Sequence, residues 1–526
     1  MTQNNDETPT GPVSGQMRQA PARPADSANP DQAGQRHWNT RRNLLAAVLL
    51  IGAGLLPWNL YFGVGIPDSK IALFGVLGAV TLLSLASLAA SGRIRLALNV
   101  PYLLLVLGFV VFDVFETVRS GGGVAVPGGV GPGGWLGIAG AILAAQPAIT
   151  GVDDAFDGWR RGARILGYAS MLGAALSFAF NLFWRMKYAL HGSDGSSEFG
   201  KQNIAVISTA VVYGVVALTA VLVASRWMLR SDNASQLATI ALGASTVVAG
   251  ILVWSLPVGR DIDAFHSIAQ NTSTAGVGFE GYLAWAAAAA IFGPRTLFGY
   301  RHTPSNDASP WRAAARNGLL LIAIWCLGSM LMRANDLAVA TSLNYPFSPY
   351  DTMTLAAFDL VTAVLAFWLR MNLTKASARA RLISSLAGLL VTLSIARVVV
   401  GVVLAPRFQQ PPDGGGWNNP VYGNDLAQQI TSTFDVVLCG VALAILASAI
   451  ITGQLAGRRL RRQKRRAARA GEAKRRVPKA AALPSAAATT RIATGAPPRL
   501  FRGDDSATRQ ISVQKPKIYR PPQDST

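Results

Sequence analysis

"LLAAVLLIGAGLLPWNLYFGVGIPDSK" (Leu44–Lys70) sets the fold problem of this chain. Residues 44–66 carry no charge. At about 1.5 Å per residue a helix of that length reaches roughly 34 Å, enough for the ~30 Å of a bilayer's hydrocarbon. About forty polar residues precede the run and no small-residue cleavage site follows it, so a retained span is expected rather than a cleaved signal. Its far end holds Pro57, Trp58, Asn59 and Tyr61. Trp58 and Tyr61 fit an aromatic belt at the outer membrane–water interface, and a helix bundle tolerates Pro57 by finding another donor for the freed carbonyl.

The rest of the chain repeats the pattern. Of 526 residues, 51% are hydrophobic and 14% charged, with mean hydropathy +0.32. A soluble domain carries about a quarter charged residues. Twelve apolar runs stand out, at 44–66, 71–90, 98–118, 134–150, 165–185, 203–227, 235–257, 279–294, 316–334, 350–370, 381–405 and 428–456. The expected fold is all-α, a polytopic transmembrane helical bundle of about twelve spans. The runs at 134–150 and 279–294 are short enough to be re-entrant.

Basic residues favour alternate turns: "SGRIR", "GWRRGAR", "SRWMLR", the long "GPRTLFGYRHTPSNDASPWRAAAR" and "RMNLTKASARAR". Lys and Arg resist translocation, so these turns and both termini are expected in the cytoplasm of a plasma-membrane protein. Residues 1–40 lack periodicity and are expected to be disordered, as is most of the chain after residue 457. That tail begins with a basic block containing Arg458, Arg459, Arg461, Arg462, Lys464, Arg465 and Arg466, part of a net charge of +21. Directly below a membrane, such a block suits anionic lipid headgroups. It lacks the interleaved aromatics of a nucleic-acid platform, and no nucleic-acid partner is expected.

Soluble-enzyme motifs are nominal. "GVGFEG" (Gly276–Gly281) has dinucleotide-type glycine spacing but follows no strand and contains Glu280. "GGGVAVPGGVGPGGW" (Gly121–Trp135) reads as a flexible outer loop whose prolines remove donors from any phosphate nest. His37, His191, His266 and His302 share no ligand spacing, and the acids of "GVDDAFDGWRR" (Gly151–Arg161) sit beside their own arginines. No metal, cofactor or catalytic residue is assigned. Cys326 and Cys439 lie in apolar runs and read as small packing residues.

Two known architectures fit poorly. Envelope glycosyltransferases that use polyprenyl-phosphate sugars resemble the chain in span number, but the first outer loop here is only "PDSK". Major-facilitator transporters carry a charged motif where this chain reads "SGRIRLALNVPY". With its Ala, Gly and Val-rich spans, basic tail and "PWNLYFGVGIP" first span, the chain resembles an uncharacterised family of actinobacterial, mycobacterial-type polytopic membrane proteins over most of residues 41–457. That resemblance implies no activity.

Ionisable residues within the runs are costly in hydrocarbon and mark sites that need a partner or a purpose. Asp113 and Glu116 share a helical face near the outer end of the third run. Asp359, Arg397 and Asp435 lie in the tenth, eleventh and twelfth, each roughly 10 to 14 Å from the expected outer surface. An Asp359–Arg397 pair is expected to dock two spans, and two acids sharing one arginine would leave one carboxylate uncompensated. The functions that fit are a secondary transporter or translocase of lipids or envelope precursors, or a non-enzymatic scaffold working with envelope-assembly proteins. An intramembrane glycosyl or lipid transferase fits less well, because no long outer loop holds its acids.

Overall fold

The computed structural model describes residues 30–58, 70–119, 129–148, 156–191, 199–257, 278–298, 309–344, 348–374, 380–404 and 432–453. Among them are twelve α-helices: α1 (Pro30–Leu55), α2 (Ile71–Ala86, extended by a 3-10 turn at Ser87–Ala89), α3 (Gly92–Arg119), α4 (Pro132–Ala145), α5 (Phe156–His191) and α6 (Lys201–Leu229). The second half supplies α7 (Asn233–Ser255), α8 (Phe279–Phe298), α9 (Ser309–Leu343), α10 (Pro349–Thr374), α11 (Ala380–Leu404) and α12 (Thr433–Gly453). Nine of these, all but α1, α4 and α8, are long and apolar enough to cross a membrane.

Their outward faces are hydrocarbon. Leu104, Leu107, Val111 and Phe115 follow one stripe of α3, and Ile165, Leu172, Leu176 and Phe183 one of α5, all exposed. In water so much contiguous apolar surface would aggregate; against lipid tails it is the ordinary exterior of a span.

α4 forms the centre of the first half. Every one of its residues from Pro132 to Ala145 is buried, and it packs against α1, α3, α7 and α8. Small residues allow the approach. A Cβ on Gly133 would lie 2.5 Å from the Leu56 carbonyl oxygen, and one on Gly140 would lie 3.0 Å from the Leu50 amide nitrogen.

The end of the opening stretch is stitched into this joint. Proline 57 has no N–H, so the Ala53 carbonyl four residues earlier loses its helical donor. The Trp58 indole N–H fills the place, donating to Ala53 O at 2.9 Å. Pro57 O in turn accepts from the Gly133 amide at 2.9 Å. Trp58 is therefore buried, 1% exposed, against Tyr102 and Phe109. It is not the interfacial anchor expected from sequence: its polar atom is more useful inside, capping a broken helix. Asn59 and Tyr61 lie outside the described residues.

Two further expectations change. The end of the glycine-rich "flexible loop" is packed, since Val130, Gly131 and α4 beyond them are buried and the Trp135 indole donates to Val130 O at 2.7 Å. Helix α1 also takes up residues 30–40 of the segment expected to be disordered, starting on a proline whose fixed φ suits a first helical position.

Candidate functional site

Helices α9 to α12 enclose a chain of buried charges. Asp359 of α10, with no exposed surface, accepts from the Arg333 Nε of α9 at 2.9 Å and is 3.0 Å from the Arg397 Nη1 of α11. Ser329 Oγ, one turn before Arg333, adds a third donor at 2.8 Å. The other side of Arg397 contacts Asp435 of α12, and its Nη1 donates to Cys326 Sγ at 3.3 Å. Asp435 also accepts from the Trp325 indole at 2.6 Å.

Local sequence explains how each group is held. Trp325, Cys326, Ser329 and Arg333 recur at helical spacing and so share the face of α9 turned to its neighbours. Ser432 and Asp435 begin α12 as a capping pair, with the Ser432 amide donating to Asp435 Oδ2 at 2.8 Å. The Asp435 carboxylate thus serves a helix N-terminus and Arg397 together, two favourable environments for negative charge. Because α12 starts at Thr433 rather than 428, Asp435 stands in its first turn, while Asp359 lies about 15 Å along α10.

The structure thus brings Asp359, Arg397 and Asp435 together and adds Arg333, which sequence reasoning missed. Arg333 gives the two aspartates a second arginine, and it also lies near Asp336 of its own helix, which accepts from the Tyr213 hydroxyl. Arg333 stands next to the end of the apolar run at 316–334, where a charge reads as a terminus, but α9 continues to Leu343 and carries it inside. Cys326, read as mere packing, is an acceptor for Arg397.

The other candidates lie elsewhere. Asp113 is buried on α3, near enough to Glu280 of α8 for their charges to repel. Glu116 is 3.5 Å from the exposed Arg119 on its own helix. Arg458, Arg459, Arg461, Arg462, Lys464, Arg465 and Arg466 lie outside the described residues, as do Asp153 and Asp154 of "GVDDAFDGWRR", whose Asp157 is 3.9 Å from Arg160 on its own helix.

Aromatic rings connect the charge chain to the first half. Trp325 packs edge-on against Phe434 at 4.7 Å between centroids, Phe434 touches Tyr282 and Trp285 of α8, and Tyr282 lies 4.6 Å from Trp135 of α4. At the other end of α9–α12 is a small cavity of about 70 Å³. Trp311, Leu373, Ile383 and Ile445 give it apolar walls, and Arg312, Ser448 and Thr452 are its polar lining.

A family model described as "Domain of unknown function (DUF7937)" matches residues 39–454. No curated protein and no solved structure matches the chain.

Proposed function

We propose, for a chain that belongs to the family defined by the Domain of unknown function (DUF7937), a role in binding and moving an amphiphilic anion across a membrane. The ligand class is a lipid or a lipid-linked envelope precursor. One observation carries the reading: the same four helices that share the buried charge chain also line a cavity at their other end. Its apolar walls fit a tail, and Arg312 with two hydroxyls fits a headgroup.

In this reading the protein is a plasma-membrane protein of about twelve spans, of the actinobacterial kind that its first span and basic tail resemble. The basic turns favour a cytoplasmic position for the cavity end. The charge chain holds the four helices closed at the outer end, and exchange of partners among Arg333, Asp359, Arg397 and Asp435 opens them. The tail's basic block rests on anionic headgroups.

The test is lipid movement in vesicles containing purified protein and a fluorescent phospholipid in one leaflet. The wild type should transfer the label, and Ile445→Trp, which fills the cavity, should stop it in protein whose helical content and heat denaturation match the wild type's. A wild type that moves no label and retains no lipid in native mass spectrometry would sink the proposal.

A second reading, a non-enzymatic scaffold of envelope assembly, draws on the completeness of the charge chain. Four charges already paired act as a clamp that needs no ligand. A scaffold should tolerate Ile445→Trp in cells and lose its partners when residues 458–526 are deleted.

A further inference from the structure

Where α4 ends, positive charge gathers with no paired carboxylate among the described residues. Arg42 of α1 and Arg95 of α3 are each 4% exposed, and both turn to neutral oxygens. Arg42 Nη1 donates to Pro147 O at 2.7 Å, and Arg95 Nε donates to Ala144 O. Arg42 Nη2 and Arg95 Nη2 converge on one atom, Asn43 Oδ1, at 3.3 and 2.7 Å. Two guanidinium groups thus share a single amide oxygen.

The local partners do not balance them. A helix C-terminus offers about half a negative charge, against two full cations. Among the described residues no carboxylate pairs with either arginine. Each guanidinium has five N–H donors, of which the described contacts use two apiece. Arg42 Nε is buried with no acceptor. Burial, then the charges of Arg95 and Arg295, push the Arg42 guanidinium down to about 10. An acceptor carrying negative charge would repair both the orphan donor and the imbalance.

We infer that Arg42 and Arg95 form a binding site for a phosphate-type oxyanion, with Arg42 Nε and the spare guanidinium donors as its ligands. A phosphate group has enough oxygens to take donors from two planar forks at once. Arg95 stands in the first turn of α3, a candidate membrane span. That is the depth of lipid headgroups, so the phosphate can belong to a phospholipid or be free in solution. The site is separate from the α9–α12 cavity and stands whether or not that cavity carries a substrate.

The experiment uses the full chain in detergent. In one arm, delipidated protein is titrated calorimetrically with inorganic phosphate. In the other, native mass spectrometry follows retention of added phosphatidylglycerol. Binding in the first arm identifies free phosphate as the source, and binding only in the second identifies the headgroup. Arg95→Gln and Arg42→Gln should each weaken binding about tenfold or more, the loss of one charge-assisted bond. Arg42→Lys keeps the charge and should fold, yet still bind less tightly because it lacks the fork. Wild-type protein that binds neither probe, or a lysine variant that binds both as well as wild type does, overturns the inference. So does binding that appears only in Asp153→Asn/Asp154→Asn, because the arginines would then be held by the chain's own acids.

Discussion

Asp359, with no exposed surface, meets two guanidinium groups and a hydroxyl. Removing one arginine leaves the aspartates facing each other across a site built for balance. Arg397→Gln should therefore lower stability by about 3 to 5 kcal/mol, read as heat denaturation in detergent. Arg333→Gln should cost a comparable amount, although it lies outside the trio visible in the sequence. In the double variant Asp359→Asn/Arg397→Gln the losses should fall short of their sum by about 0.5 to 3 kcal/mol. Strict additivity would show that the pair is not coupled. Asp359, Arg397 and Asp435 were legible because each interrupts an apolar run with a charge. Arg333 was not, because a charge at a run's edge reads as its terminus.

The joint of α1 with α4 is decided by individual atoms that hydropathy does not encode. Trp58→Phe keeps the ring but strands the Ala53 carbonyl, and should cost about 1 to 3 kcal/mol in the same assay. Gly140→Ala presses a methyl group onto the Leu50 backbone and should also destabilise. Gly108→Ala, where nothing lies within 4 Å, should be neutral or stabilising by up to about 1 kcal/mol. Equal stability of the two alanine variants would remove the close-packing argument. α4 itself was legible as an apolar run, but not as a buried core. Its 14 residues reach only about 21 Å, and nothing in an all-apolar pattern distinguishes a helix that meets lipid from one that meets only protein.

At the scale of the molecule, twelve apolar runs correspond to twelve described helices, nine of them suited to cross a membrane. Runs of hydrocarbon length leave the backbone few alternatives to helix, so the class was readable from composition alone. Helix ends were less so: α1 starts fourteen residues before its apolar run, and α9 passes the end of its run by nine. The proposed orientation predicts that reporters fused after Arg42 and after Arg458 both reside in the cytoplasm. Opposite locations would require an odd number of crossings.

The ring chain from Trp135 through Tyr282, Phe434 and Trp325 has an optical consequence. Trp135, Trp285 and Trp325 are at most 2% exposed, so their emission should be blue-shifted and insensitive to aqueous quenchers. Trp325 also donates to the carboxylate that Arg397 contacts. Any event that separates Asp435 from Arg397 should therefore register as a change in near-ultraviolet dichroism that Trp325→Phe abolishes.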